Sequence, residues 1–164
     1  MKNHIKDFAK SLNNESLLIL GGTGLFGKTL LPELTKELEV NNVNTKITII
    51  TRNTSSALKN IPVLNKDIFD LIEFDFLVES EFKFNIECTY ILHMAATAAH
   101  ETFSGISQIK KYQLLVNSTN FICKLIKNMS VKRVVFVSSG IAYGDVDEYR
   151  EGSFGVINPP DSSS

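Results

Sequence analysis

The sequence predicts an α/β fold: a doubly wound parallel sheet of about five strands with helices on both faces. Three observations lead to this prediction. Apolar runs short enough for buried strands alternate with segments of helical periodicity. The first of these runs is closed by a glycine-rich turn that opens directly into a helix. The length of 164 residues suits one domain with one core, so we expect residues 1–164 to form a single domain with a loop over 145–164.

The strands are predicted from runs that are continuously apolar, rich in β-branched residues or alternating with period two. In chain order they are Ser16–Leu20, Lys46–Thr51, Ile72–Phe76, Thr89–Ala95 and Arg133–Val137. The segment between the second and third strands is predicted as loop with a short helix. Strands that alternate with helical patterns imply right-handed crossovers, and these crossovers make the sheet parallel.

Helices are predicted wherever apolar residues recur every three or four positions. Residues 4–13 form the first, and a second begins at Leu25, with its apolar stripe continuing past Pro32. We therefore expect a kink at Pro32 and not the end of the helix, although proline removes a backbone hydrogen bond there. The longest helix, Gln108–Asn128, is expected to pack one face inward. The residues of that face are Leu115, Thr119, Ile122, Ile126 and Met129.

Charge and composition exclude several classes of protein. With 17 basic and 18 acidic residues the net charge is -1, which gives no general attraction to nucleic acid or to an anionic membrane. The apolar runs are shorter than the ~20 residues that span a membrane, and the N-terminal residues lack the apolar core of a secretory signal. Cys88 and Cys123 have no metal-ligand spacing. We expect reduced thiols, no metal site and a cytoplasmic location.

The glycine turn is the first candidate functional feature. Gly21, Gly24 and Gly27 follow a predicted buried strand and open a helix, the context in which this spacing indicates dinucleotide binding. Gly21 would allow the tight turn, Gly24 the close approach of a pyrophosphate, and Gly27 close packing of helix on sheet. The helix N-terminus offers N–H groups and partial positive charge to the anion. On this interpretation the turn belongs to a Rossmann-type domain that binds a nicotinamide dinucleotide.

A second pattern overlaps the same turn. Residues Gly22 to Thr29 match G-x-x-x-x-G-K-[ST], the P-loop of nucleotide hydrolases and kinases. Lys28 would then reach the terminal phosphates, and Thr29 would hold magnesium. Such an enzyme also needs an aspartate at the end of another apolar strand, a place that only Asp75 could take. The turn alone leaves both interpretations open.

Three further segments follow the glycine turn in order, and the four together cover about residues 16–145. Leu92–Ala96 reads L-H-M-A-A, Asn117 lies in the long helix, and Val131–Gly144 reads V-K-R-V-V-F-V-S-S-G-I-A-Y-G. These segments resemble the glycine turn, the H-x-A-A strand, the helical asparagine and the serine strand of the extended short-chain dehydrogenase/reductases. That family includes nucleotide-sugar epimerases, dehydratases and reductases.

The resemblance implies how the cofactor is bound. Backbone N–H groups of Thr23, Leu25 and Phe26 would reach the pyrophosphate together with the three glycines. Asp75 would accept a hydrogen bond from the adenine amino group, the alternative being a solvated carboxylate at a strand end.

The resemblance also implies roles nearer the reacting centre. Ala95 and Ala96 would pass close to the ribose and nicotinamide, and Asn117 would brace the structure near the cofactor. Ser139 would be the catalytic serine that polarises the substrate hydroxyl or carbonyl. His93 is expected to be packed in the interior, without a role in proton transfer.

The end of the second strand bears on the choice of cofactor. This strand ends in Thr51-Arg52-Asn53, which contains no acid to bind the ribose 2′-hydroxyl of NAD. Arg52 can pair bidentately with a phosphate, so NADP is favoured over NAD. An Arg52 that stacks on adenine is compatible with NAD, and both cofactors stay open.

One family motif is missing. The family moves protons with Y-x-x-x-K, in which lysine lowers the pKa of tyrosine. The four tyrosines of this chain are followed at that spacing by Met94, Val116, Asp147 and Ser153. The tail Asn158–Ser164 resembles the segment that leads into this motif. We therefore expect a chain truncated before its catalytic tyrosine and lacking full activity.

Three functions follow from these observations. The first is the NAD(P)-binding domain of a nucleotide-sugar epimerase, dehydratase or reductase that acts by hydride transfer to the nicotinamide, with a nucleotide-sugar substrate in the complete protein. The second is a non-catalytic NAD(P)-binding or redox-sensing module. The third is a P-loop hydrolase or kinase that uses Lys28 and Thr29. Relatives of the first kind often dimerise through helices, so a homodimer is among the assemblies expected.

Overall fold

The computed structural model describes residues 2–78, 82, 85–96 and 105–138; Ser139 and the predicted loop over 145–164 lie outside these ranges. Along the described residues helices and strands alternate up to the third strand, and the next described element is the fourth strand. The helices are α1 (Lys2–Ser11), α2 (Leu25–Val40), α3 (Thr54–Asn60) and α4 (Gln108–Asn128), with a 3-10 turn at Pro62–Asn65. The strands are β1 (Glu15–Leu20), β2 (Thr45–Thr51), β3 (Phe69–Glu73), β4 (Tyr90–His93) and β5 (Arg133–Phe136).

The five strands form one parallel sheet in the order β3-β2-β1-β4-β5, which is the Rossmann-type fold predicted from the sequence. Leu17 of the central strand β1 lies opposite Ile47 of β2 and Tyr90 of β4. β2 and β3 extend the sheet to one side of β1, and β4 and β5 extend it to the other. The side to which the chain adds successive strands therefore reverses between β1 and β4. Ligands of such folds bind outside the carboxyl ends of the strands at that point.

The core has two parts, one on each face of the sheet. Leu17 and Ile19 of β1 pack with residues of α1 and α2, including Ala9 and Leu34. Leu18 and Leu20 point to the other face, where they pack with a cluster that includes Leu114, Phe121 and Leu125 of α4. Successive residues of a strand face opposite sides, so the unbroken apolar run of β1 is buried on both faces.

Helix α2 runs from Leu25 to Val40 and contains Pro32 in its interior. The prediction that the helix does not end at this proline is confirmed, and the kink expected there stays a prediction. Leu31, Leu34 and Leu38 are buried on the inner face of the helix. Their packing against the sheet compensates for the hydrogen bond that proline cannot donate.

The predicted bounds of the third strand are wrong. The sequence predicts Ile72–Phe76, whereas β3 ends at Glu73, opposite Thr51. Thr51 is also the last residue of β2, so the paired ladder ends where its partner strand ends. Phe74 and Phe76 lie beyond the strand and are buried on the α4 side of the sheet, with ring centroids 4.9 Å apart.

The predicted inner face of α4 is also mostly wrong, although the bounds of this helix are those predicted. Leu115 and Ile126 are 45% and 44% exposed. The buried residues are Leu114, Ser118, Phe121, Ile122 and Leu125, of which only Ile122 belongs to the predicted face. Within the described part of the chain, no helix combines the length and the hydropathy that a membrane crossing requires.

Candidate functional site

The glycine turn lies at the carboxyl edge of the sheet, between the ends of β1 and β4. Gly21 has φ +77°, a conformation that L side chains rarely adopt, and a Cβ on it would lie 2.5 Å from the backbone nitrogen of Ala95. Since that contact is with backbone, neither side can yield cheaply. The glycine turn and the end of the fourth strand, two of the segments singled out in the sequence, are therefore in direct contact.

The other glycines of the turn differ in what the fold requires of them. A Cβ on Gly27 would fall 1.7 Å from the carbonyl oxygen of Gly22, so the first turn of α2 packs directly on the loop. A Cβ on Gly22 would lie 2.9 Å from the Ile19 side chain. Gly24 is different, because its Cβ would meet only the Gly21 carbonyl oxygen at 3.4 Å. The packing of the chain excludes a side chain at Gly21 and Gly27 and leaves room for one at Gly24.

The start of α2 presents backbone donors at this edge. Gly24 is the N-cap, with φ -77° and ψ -169°, and the first hydrogen bond of the helix runs from the Lys28 N–H to the Gly24 carbonyl at 3.0 Å. The N–H groups of the first helical residues, Leu25 to Gly27, have no acceptor within the helix. The side chains of Leu25 and Phe26 are 81% and 63% exposed. The helix start can therefore bind an anion through three consecutive N–H groups.

The same geometry argues against the P-loop interpretation. A P-loop holds phosphates with the backbone N–H groups of a long loop and places its lysine at the phosphates. Here the helix already begins at Leu25, so Lys28 and Thr29 both lie within α2. The Lys28 N–H is used in the first helical hydrogen bond.

A cavity of about 400 Å³ opens beside the turn, at the ends of β2 and β3. Its polar lining consists of Thr23, Thr51, Arg52, Asn53, Ser56, Asn60 and Asp75. The hydroxyl oxygens of Thr23 and Thr51 are 3.4 Å apart and join the glycine turn to the end of β2. Arg52 and Asp75, both predicted from the sequence, thus line one cavity.

Helix α3 forms one wall of this cavity. Asn53 caps the helix, its side-chain oxygen accepting the Ser56 N–H at 2.7 Å, and the Asn60 side-chain nitrogen donates to the Ser56 hydroxyl at 3.1 Å. Ser56 and Asn60 were not among the residues predicted from the sequence. The available signal was that these two residues lie one helical turn apart in a helix that follows the end of β2 and that has Asn53 as its N-cap.

The acid at the end of β3 points elsewhere. Glu73 accepts hydrogen bonds from both the N–H and the hydroxyl of Thr54, each at 2.9 Å. These two bonds hold the pKa of the Glu73 carboxyl below its ordinary value. The carboxylate is thereby held at the start of α3, and it does not line the cavity.

The turn after β3 is held from both sides. Asp75 Oδ1 accepts the Leu77 N–H at 2.8 Å, and the Asn117 side chain donates to the Phe76 carbonyl at 2.6 Å. Asn117 comes from α4, so this helix and the turn that carries Asp75 are linked directly. Asp75 and Asn117, which are far apart in the sequence, thus lie close together in the structure.

The end of β4 holds a buried histidine. His93 is 1% exposed, its ring stacks on that of Phe136 with centroids 4.3 Å apart, and its Nε2 lies 2.8 Å from the Ser118 hydroxyl. The Ser118 hydroxyl donates to the Leu114 carbonyl at 2.7 Å, so it accepts from His93 and Nε2 carries the proton. Among the described residues Nδ1 has no hydrogen-bond partner, and burial lowers the pKa of the ring. His93 is a neutral interior residue that ties β4 to α4 and β5.

The predicted site residues converge, as far as the described residues allow. The glycine turn, Arg52 and Asp75 surround the carboxyl ends of β1, β2 and β3, and Ala95 abuts the turn from β4. Ala96 directly follows it and is exposed. Ser139 lies outside the described residues, so its position relative to this edge is not part of the site as described.

The comparison with known proteins gives a family for the chain. A family model described as the NAD dependent epimerase/dehydratase family matches residues 17–162, which is most of the chain. None of the curated protein sequences is significantly similar to the chain.

Solved structures share the fold. A UDP-N-acetylglucosamine 4-epimerase from Methanobrevibacter ruminantium M1, in complex with UDP-N-acetylmuramic acid, is 22% identical with a TM-score of 0.65; the match covers 87% of this chain and 44% of that one. The Bordetella bronchiseptica enzyme WbmF in complex with NAD+ is 18% identical with a TM-score of 0.59, over 87% and 42%. A point variant of the Bacillus cereus UDP-glucuronic acid 4-epimerase, with a fluorinated UDP-sugar and NAD, is 18% identical with a TM-score of 0.58, over 85% and 45%. The chain spans less than half the length of each.

Proposed function

The chain belongs to the NAD-dependent epimerase/dehydratase family, and from this premise we propose that its carboxyl-edge site binds NAD(P) as the cofactor domain of a nucleotide-sugar epimerase, dehydratase or reductase. NADP is favoured over NAD, because Arg52 and not an acid follows β2. Titrations of both cofactors distinguish the two. Family membership also favours this proposal over the P-loop hydrolase or kinase.

The observation that carries the proposal is the space at Gly24. The fold itself requires glycine at Gly21 and Gly27, where a Cβ would lie 2.5 Å and 1.7 Å from backbone atoms. At Gly24 the nearest atom would be 3.4 Å away, an ordinary contact. A glycine there is explained by a ligand whose pyrophosphate approaches the backbone closely, next to the N–H groups at the start of α2.

We propose that the remaining residues bind different parts of the cofactor. We assign the pyrophosphate to the N–H groups of Leu25, Phe26 and Gly27, with Thr23 in the same turn, and the adenine amino group to Asp75. Asn117 holds the turn that carries Asp75 through the Phe76 carbonyl, so it positions the adenine-binding residue. Ala95 and Ala96, at the end of β4, have small side chains that leave room for the ribose and nicotinamide.

The chemistry of the complete protein remains part of the proposal. When bound, a nicotinamide exchanges a hydride with a carbon of the substrate sugar. Ser139 would polarise the substrate oxygen through its hydroxyl. Because the sequence contains no Y-x-x-x-K motif, we propose that these residues bind the cofactor without completing the proton transfer. A nucleotide-sugar substrate is favoured because two of the structural neighbours hold UDP-sugars.

The test is direct titration of the purified chain with NADH and NADPH, followed by nicotinamide fluorescence and by calorimetry. The proposal expects saturable binding of at least one of them and a raised Tm in its presence. ATP with magnesium, titrated in parallel, represents the P-loop alternative. Binding of Mg-ATP that depends on Lys28, together with no binding of either nicotinamide cofactor, would overturn the proposal.

A further inference from the structure

The main chain at the end of β4 joins three strands at the carboxyl edge of the sheet. The carbonyl of His93 accepts the Val137 N–H at the end of β5 at 2.9 Å. The next residue, Met94, donates its N–H to the Leu20 carbonyl of β1 at 2.8 Å. Ala95 follows directly and abuts the glycine turn. The position of the His93 main chain therefore determines where β4 delivers Ala95 to the site.

The side chain of His93 is held by contacts from two other elements. Its Nε2 lies 2.8 Å from the Ser118 hydroxyl of α4. Its ring lies on the Phe136 ring of β5, with centroids 4.3 Å apart and planes 11° from parallel. The hydrogen bond fixes where one ring nitrogen lies, and the stack fixes the plane of the ring. Together they define the orientation of a side chain that is 1% exposed.

Resting on the proposed function, we infer that His93 and Phe136 are positioning residues: their stacked rings hold the ends of β4 and β5 in the arrangement that accepts the nicotinamide half of the cofactor. In that function Ala95 and Ala96 leave room for the ribose and nicotinamide, and Asp75 binds the adenine. Because the strand order is β3-β2-β1-β4-β5, the stack lies on the side of β1 away from Asp75. Strands β3 and β4 are three strand spacings apart, about 14 Å. Loss of the stack should therefore affect one half of the cofactor and spare the other.

Phe136 allows the stack to be removed with little risk to folding, because its side chain is 43% exposed. Phe136→Leu removes the ring, and Phe136→Tyr keeps the ring and adds a hydroxyl that can reach solvent. Val135→Thr is the matched control. Val135 is the preceding residue of the same strand, is 49% exposed and faces the other side of the sheet. His93→Gln tests the other partner, since an amide can still donate to Ser118 but has no ring to stack.

The ligands are NADH and NADPH, which contain the nicotinamide half, and ADP, which contains only the adenosine and the two phosphates. Phe136→Leu and His93→Gln should lower the affinity for the reduced cofactor that the chain binds by about threefold to tenfold. Affinity for ADP should change by less than about twofold. Phe136→Tyr and Val135→Thr should behave as the unaltered chain with every ligand. The fluorescence of the bound nicotinamide should shift towards that of free cofactor in the two variants that lack the stack.

The outcomes distinguish this inference from the function on which it rests. Equal losses for ADP and the reduced cofactor would assign the stack to general stability, and unchanged affinities in Phe136→Leu would remove its role in binding. Either result overturns the inference, while binding of NADH or NADPH by the unaltered chain keeps the proposed function intact. Failure of the unaltered, folded chain to bind either reduced cofactor overturns both. Circular dichroism shows which variants are folded, and Phe136→Leu decides alone if His93→Gln is not.

Discussion

The Cα of Gly21 lies directly against the backbone of Ala95, so that a Cβ on Gly21 would be 2.5 Å from the Ala95 nitrogen and 2.6 Å from its Cα. The turn that follows β1 is thereby seated on the end of β4. This contact links two segments that are widely separated in sequence, and both are assigned to the cofactor. Any side chain at Gly21 would push the turn away from β4.

Gly21→Ala is therefore expected to destabilise the fold by about 2–5 kcal/mol, the sum of a left-handed alanine and a clash with backbone. Gly105→Ala is the matched control, because Gly105 also has a positive φ, +83°, but nothing lies within 4 Å of its Cβ position. It should cost only about 1–2 kcal/mol. Urea unfolding followed by circular dichroism measures both. Equal losses would show that the contact with Ala95 has no energetic weight.

Gly24→Ala and Gly27→Ala should separate binding from folding. Gly24→Ala meets only one atom at ordinary contact distance, so the Tm should change little while NAD(P)H affinity falls by at least tenfold. Gly27→Ala places a methyl group 1.7 Å from the Gly22 carbonyl oxygen and should lower the Tm markedly. Thermal unfolding and fluorescence titration check the pair. Retained cofactor affinity in Gly24→Ala would contradict the assignment of the pyrophosphate.

Asn117→Ala should weaken both stability and adenine binding. The Phe76 carbonyl loses the donor that lies 2.6 Å away, at an expected cost of about 1–2 kcal/mol. Because Phe76 follows Asp75, affinity for ADP should fall as well. Asn120→Ala, an exposed residue of the same helix, serves as the control for lost helical side chains. A change in Tm with unaltered ADP affinity would reduce Asn117 to a structural role.

The buried histidine predicts a pH dependence of stability. Burial lowers the pKa of His93 below 6.5, so the unfolded chain binds a proton at a higher pH than the folded chain does. The free energy of unfolding should therefore decrease as the pH falls below about 6.5, and it should be constant above that value. His93→Gln, whose amide can still donate to Ser118, removes this slope, whereas exposed His4→Gln keeps it.

The pH range in which His93 affects the free energy of unfolding is distinct from that of the carboxylates. The pKa of Glu15 is lowered mainly by its hydrogen bond from Lys132, and that of Glu73 by the Thr54 N–H and hydroxyl. Their contributions to stability are present above pH 4.5 and are lost below it, as each folded pKa is passed. Urea midpoints at pH 7.5, 6.5, 5.5 and 5.0 isolate the histidine. If the urea midpoints of the unaltered chain and of His93→Gln depend on pH in the same way, the pH dependence does not come from His93.

Two errors in the sequence prediction have identifiable causes. Phe74 and Phe76 alternate with acids as a strand would, yet both lie beyond the point at which Thr51 ends the neighbouring strand. On α4, the predicted stripe through Leu115 and Ile126 is as apolar as the buried one. The buried face instead contains Ser118, which looks polar until the hydrogen bond with His93 satisfies its hydroxyl.

The cavity beside the glycine turn likewise combines residues that the sequence identifies with residues that only the structure reveals. Arg52 and Asp75 are recognisable because each stands at the end of an apolar run. Ser56 and Asn60 are ordinary polar helix residues in the sequence, and only the packing of α3 beside β2 turns them toward the cavity. A pattern of polar residues reveals a helix surface but not what that surface faces.

The sequence by itself determined the Rossmann-type class, the order of strands and helices, and the place of the glycine turn, because backbone conformation and hydrophobic periodicity are local properties. Only the tertiary structure decided which face of α4 is buried, where β3 ends, and that Gly21 is seated on Ala95. Those features depend on contacts between residues far apart in the chain. A sequence pattern does not record which distant residues are in contact.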